Sequence, residues 1–172
     1  RKILSGADLK SNILDMVHQE LEQMVAVHTS ATARSDWTLD VLHSELLTIM
    51  PLPPELSEEH LYEMEPDKLQ ETLIQQAEAL YEEREQSFGE GVMRAIERAV
   101  MLQIVDDQWK DHLLAMDHLK EGIGFRGYAQ KNPLNEYKRE GFDLFSAMME
   151  RLKEEIPQYL LRVQVDPDDE QL

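Results

Sequence analysis

The sequence predicts an all-α fold, and three observations carry the prediction. Apolar residues recur at three- and four-residue spacing through most of the chain. The 7 Gly and 7 Pro fall mostly in three short clusters, which leaves long stretches free of helix breakers. Strand-like alternation appears nowhere in the 172 residues.

The first helix is expected from about Leu9 to Ala31, with Asp8 as its N-cap after Gly6. Ile13, Leu14, Val17, Leu21, Met24, Val25 and His28 repeat along it at helical spacing. Thr29–Asp36 is small and polar and reads as a loop. A second helix, Trp37–Met50, should place Trp37, Val41, Leu42, Leu46, Leu47 and Ile49 mostly on one side. Pro51, Pro53 and Pro54 stop it, because proline lacks the amide donor and clashes with the preceding turn. Ser57 is placed to cap a short helix, Glu58–Glu63, and Pro66 suits the first turn of a longer one, about Asp67–Gln86. Ser87-Phe88-Gly89 marks a break.

From Gly91 to Leu119 the residues Ala95, Ala99, Leu102, Val105, Trp109, Leu113 and Met116 average about 3.5 apart, which predicts a coiled-coil seam with Trp109 in its core. A mobile glycine-bearing loop is expected over Gly122–Pro133. Beyond it, Phe142, Phe145, Met149, Leu152 and Ile156 repeat in the same way. Two matching seams around a loop predict a long antiparallel hairpin whose first arm spans roughly 40 Å. Pro157 should end or kink the second arm, and Asp166 onward reads as a frayed acidic tail.

Composition bounds what such a fold can do. Charged residues make 30% and apolar residues 42% of the chain, a globular balance for one domain or two small ones. The absence of cysteine excludes disulfides and thiolate metal sites and is compatible with a reducing compartment. No apolar run approaches the ~20 residues of a membrane span, and no signal-peptide pattern is present. The start at Arg1 rather than Met leads us to read the chain as a piece of a longer protein.

A net charge of −18 argues against nucleic acid as a partner. That charge is unevenly spread: residues 1–90 balance to −13, residues 91–165 to −1 and the tail 166–172 to −4. Two regions with different electrostatic roles are the simplest reading.

The usual marks of catalysis are missing. No phosphate-binding P-loop motif occurs, and Gly122, Gly124 and Gly127, though spaced as G-x-G-x-x-G, lie between two expected helices instead of after a strand. His112 and His118 stand six residues apart, share no helix face, and read as partly exposed. Asp106 and Asp107 point about 100° apart on a helix and read as a solvated face. We therefore expect no catalytic residue and no metal ligand in this chain.

The hairpin tip is chemically distinct. Lys120–Arg139 holds five basic residues (Lys120, Arg126, Lys131, Lys138 and Arg139) against Glu121 and Glu136, with Phe125, Tyr128 and Tyr137 interleaved. Amphipathic rings and flexible cations can touch many surfaces without demanding one sequence. The competing reading folds Phe125 or Tyr128 back to cap the seam.

Val100-Met-Leu-Gln-Ile-Val-Asp-Asp-Gln-Trp-Lys-Asp-His-Leu-Leu-Ala-Met-Asp117, Arg126-Gly-Tyr-Ala-Gln-Lys-Asn-Pro133 and Glu136-Tyr-Lys-Arg-Glu-Gly-Phe142 strongly resemble the C-terminal part of the SecA family of bacterial ATP-driven preprotein translocases. The match is close over Gly91–Val165 and looser over 8–89. The resemblance implies that 1–7 ends a long scaffold helix, 8–89 is a helical wing, 90–165 is the two-helix finger of the helical scaffold, and 166–172 is a tail. It implies a finger loop that enters the SecYEG channel mouth and contacts unfolded preprotein, with the family's tip tyrosine at Tyr128. Phe125, Arg126 and Gly127 would join that contact, and Lys120, Lys131, Lys138 and Arg139 would form a basic collar. The finger helices would also pack on the ATPase domains of the full-length protein and restrain them. ATP and Mg would belong to those domains and no cofactor to this fragment. The location implied is cytoplasmic, peripheral to the bacterial inner membrane. Family members often read Gly-Ile-His-Leu-Arg before the tip tyrosine, where this chain has Gly122-Ile-Gly-Phe-Arg126. A rival reading from the residues alone is a free-standing helical adaptor that binds partner helices.

Overall fold

The computed structural model describes residues 9–126 and 132–163. Among them are six α-helices and two 3-10 turns, and no strand. The helices are α1 (Leu9–His28), α2 (Leu39–Ile49), α3 (Glu58–Glu63), α4 (Pro66–Phe88), α5 (Glu90–Arg126) and α6 (Pro133–Arg162). The expected cap Asp8, the segment 1–7 and the tail from Asp166 lie outside the described residues.

The helix order and the breaks follow the sequence closely. In α1, Leu9, Ile13, Val17, Leu21, Met24 and Val25 are buried along one stripe that packs on α4 and α6. Helix α4 begins at Pro66 and ends at Gly89, whose φ of 85° is a left-handed conformation suited to glycine. Ser57 takes the N-cap position of α3, but its hydroxyl lies 2.6 Å from His60 Nδ1 and caps no backbone amide.

Two expectations for the region after α1 need correction. Helix α2 starts at Leu39, not Trp37, because Arg34–Asp36 forms a 3-10 turn and Trp37 leaves it in extended backbone. Trp37 Nε1 donates to the Ala31 carbonyl at 2.9 Å, and the Arg34 guanidinium stacks 5.0 Å from the ring. Leu39, Leu42, Leu46 and Ile49 face inward, while Val41 and Leu47 are exposed on the other side. A narrower stripe suffices because α2 is only 11 residues long.

Helix α6 passes through Pro157 and continues to Arg162, so proline does not end it. Losing one amide and clashing with the turn costs about 3 kcal/mol. Against that, Ile156, Leu160 and Leu161 are buried in the core shared with α1, each worth about 1.5–3 kcal/mol. Arg84 of α4 also donates to the Leu160 carbonyl at 2.9 Å, satisfying a last-turn acceptor. One core cluster runs through all six helices and reaches Ile104 on α5 and Leu152 on α6. The hairpin is thus rooted in the same core as the helices before it.

Candidate functional site: the face and tip of the hairpin

At the tip, α5 stays helical through Gly122 and Gly124 to Arg126, which corrects the expectation of a loop from Gly122. Each glycine costs about 1 kcal/mol relative to alanine in a helix interior. Extending a long, already nucleated helix adds a hydrogen bond per residue and outweighs that cost. Phe125 is 80% exposed and does not fold back over the seam. Helix α6 opens with an Asn132–Pro133 cap: the Asn132 side chain accepts from Leu134 N at 3.0 Å and Asn135 N at 3.5 Å. Lys120, Lys138 and Arg139 are exposed, and Arg139 pairs with Glu136 at 2.6 Å. Gly127, Tyr128 and Lys131 lie outside the described residues, and Arg126 is placed only as the last helical residue of α5.

The seam between the arms is not the one the spacing suggests. The buried residues of α5 are Met93, Glu97, Met101, Gln108 and His112, with Ile104 half-buried among them. Leu102, Val105 and Leu113 are exposed, and Trp109 is 45% exposed instead of core. Each lies one position after a seam residue (101, 104, 108, 112), a rotation of about 100° around the helix. Steps of four residues dominate the true seam, a period longer than the 3.5 residues of a left-handed coiled coil. On α6, Met148 and Ile156 are buried, whereas Phe142, Phe145 and Met149 are exposed. A Cβ on Gly141 of α6 would lie 3.1 Å from Met116 Cε of α5.

Polar residues sit where the apolar pattern fails. Gln108 Nε2 donates to both carboxylate oxygens of Glu155 at 2.9 Å, and its carbonyl accepts from Arg151 Nε at 2.8 Å. These directional bonds fix the register of the two arms, as a buried polar residue does in a coiled coil. His112, expected to be partly exposed, is 7% exposed, 5.4 Å from the Trp109 ring and 5.8 Å from Phe145. Its Nδ1 is buried without a hydrogen-bond partner. Asp106 and Asp107 are solvated as expected, and Asp106 pairs with Lys110 at 2.6 Å.

The consequence is a strip of large apolar side chains along the outside of the hairpin: Leu102, Val105, Trp109 and Leu113 on α5, and Phe142, Phe145 and Met149 on α6. A face of this kind marks an interaction surface. A second feature invisible in the sequence is an acidic cleft between α1, α2 and α6, lined by Glu20, Glu45, Glu150 and Glu154. Burial raises the Glu20 carboxyl above its usual range. Among the described residues, no group of three or more His, Asp or Glu is placed to hold a metal, and no helix is long and apolar enough to cross a membrane.

Comparison with known proteins places this architecture. A family model described as the SecA Wing and Scaffold domain matches residues 1–164. The protein translocase subunit SecA of Syntrophobacter fumaroxidans is 43% identical over 171 residues, which is 99% of this chain and 20% of that protein. The SecA of Dehalococcoides mccartyi is 41% identical over 95% of the chain and 17% of its own length. SecA 1 of Thermobifida fusca is 39% identical over 96% of the chain and 18% of its length. The chain therefore spans about a fifth of the relatives it matches.

Proposed function

The chain belongs to the SecA wing-and-scaffold family, and on that premise we propose that it is a non-catalytic mechanical and regulatory module of a SecA protein translocase. In this reading 8–89 are the wing and 90–165 the two-helix finger, while 1–7 end a scaffold helix and 166–172 are a tail. The finger tip touches the SecYEG channel and the unfolded preprotein through Tyr128, Phe125, Arg126 and Gly127. Lys120, Lys131, Lys138 and Arg139 supply a basic collar around that contact. The length of the finger docks on the ATPase domains of the same polypeptide and restrains them, and those domains carry the ATP and Mg chemistry. The assembly works at the cytoplasmic face of the bacterial inner membrane, held there through the channel.

The observation that carries this reading is the uncovered strip from Leu102 to Leu113 and Phe142 to Met149. Fully burying an exposed side chain of this size contributes about 1.5–3 kcal/mol, and with roughly half of each still uncovered, covering the seven of the strip together provides a drive for docking. A chain that spans a fifth of its relatives leaves most of the protein available to cover it. The exposed Phe125 ring extends the same apolar character toward the tip, where a sequence-tolerant contact needs it.

In the full-length protein, Tyr128→Ala should lower preprotein translocation far more than basal ATPase activity. Equal losses of both would remove the tip contact from the account. The same strip would also suit an adaptor that binds foreign helices, and capture of a partner helix by the isolated chain without any motor domain would favour that alternative.

A further inference from the structure

We propose that a buried polar cluster at the root of the hairpin is a clasp that sets the angle at which the hairpin leaves the wing. Helices α4 and α5 are joined by Gly89 alone, and no atom lies within 4 Å of where its Cβ would be. Two backbone bonds span this joint, Gly89 N to Glu85 O at 2.9 Å and Met93 N to Gly89 O at 3.0 Å. By themselves they form a thin connection for so long an arm. About two turns beyond the joint on α5, Glu97 is 0% exposed and accepts a hydrogen bond from the Tyr81 hydroxyl of α4. Arg94 bonds Glu85 across the same joint. Lys10 of α1 closes the cluster at 2.7 Å from Glu85 and 2.9 Å from Glu82.

The physics favours an angular role over simple adhesion. Apolar contacts are non-directional and tolerate small rotations, whereas hydrogen bonds and ion pairs in a low-dielectric interior demand a fixed geometry. A buried carboxylate that lost its partner would be costly, so the cluster resists any rotation that separates Tyr81 from Glu97 or Glu85 from Arg94. One contact is nevertheless imperfect. Arg94 Nε and Glu97 Oε2 lie 2.9 Å apart but off the hydrogen-bonding axis, and neither atom has an aligned partner. Both atoms belong to α5, so the bonds that cross the joint are Tyr81 to Glu97 and Arg94 to Glu85. Leverage does the rest: α5 carries the tip roughly 55 Å from Gly89, so a rotation of about 10° at the root moves the tip by about 10 Å.

The test is a distance measurement in the full 172-residue chain, which has no cysteine of its own. Spin labels are attached at cysteines replacing the exposed Glu59 on α3 and Glu121 near the end of α5. A second pair at Asp111 and Asp143 reports the hairpin alone. Glu97→Gln and the milder Tyr81→Phe, which removes one hydroxyl, should each shift or broaden the wing-to-tip distance by about 5 Å or more, as expected for a rotation of several degrees. The Asp111–Asp143 distance should stay as in the parent. A lower melting temperature with both distance distributions unchanged in Tyr81→Phe would overturn the clasp and leave a cluster that only stabilises. If Glu97→Gln does not fold, judged by its helical circular dichroism, Tyr81→Phe alone decides.

Discussion

Helices α1 to α4 and the hairpin distribute their side chains differently. In α1 to α4, Ile13, Val17, Leu42, Leu46, Leu61 and Leu73 have no exposed surface, and Val27, Val41, Leu47 and Tyr62 are the exposed large apolar side chains among the described residues. In the hairpin, Glu97, Gln108 and His112 are inside, while Trp109, Leu113, Phe142 and Phe145 are outside. A region that covers most of its own apolar surface needs little from outside it. The hairpin holds its register with polar bonds and leaves its apolar faces unspent, which is the arrangement expected of an element finished by other parts of a larger protein.

Cavity mutations test that contrast most strongly. Leu42→Ala or Leu73→Ala should destabilise the chain by about 2–5 kcal/mol in denaturant unfolding, because each leaves a hole in a packed core. Gln108→Ala should cost about 0.5–1.5 kcal/mol by removing the partner shared by Glu155 and Arg151, both of which water can then solvate. Faster amide exchange along the facing stretches of α5 and α6 would report the loosened register.

Alkali probes the root where the two regions meet. Burial raises Tyr81 above its ordinary value, and the hydrogen bonds that Lys10 donates to Glu85 and Glu82 raise the lysine. The folded chain keeps these protons at a pH where the unfolded chain releases them, so stability should fall as pH climbs past about 10. Tyr81→Phe should flatten that limb in melts recorded against pH. Burial likewise raises Glu97, so its contribution is most favourable below its unfolded value and is lost as pH rises through the higher folded one.

Smaller effects sharpen the picture at the tip and on the strip. Gly122→Ala and Gly124→Ala should each stabilise the last turns of α5 by about 0.5–1 kcal/mol, since nothing lies within 4 Å of either added methyl. Leu113→Ala should change the stability of the isolated chain by no more than about 0.5 kcal/mol. In the full-length protein the same substitution should weaken docking and raise basal ATPase activity. A cavity-sized loss from Leu113→Ala in the isolated chain would break the contrast between the two regions.

The sequence made the helix order legible because its punctuation is strong: Pro51–Pro54, Pro66 and Gly89 fall at real boundaries. The hairpin was legible as an architecture but not in its facing. Spacing alone cannot separate two apolar stripes 100° apart, and here the true seam is interrupted by the polar residues Glu97, Gln108 and His112. Their burial depends on partners distant in sequence: Tyr81 for Glu97, Glu155 and Arg151 for Gln108. Pro157 misled for a related reason, since the packing of Ile156 and Leu160 against other helices outweighs a local breaker. At the tip, the exposed Phe125 and the cations Lys120, Lys138 and Arg139 were identifiable from composition alone, because a basic, aromatic stretch stands out in an acidic chain.

The most direct test of the account is photo-crosslinking from the hairpin of the full-length protein, trapped during export of a model preprotein. A crosslinking residue at Tyr128 should capture both the channel and the moving chain, and one at Trp109 should capture other domains of the same polypeptide. Crosslinks from Tyr128 only to its own hairpin, with none from Trp109, would contradict it.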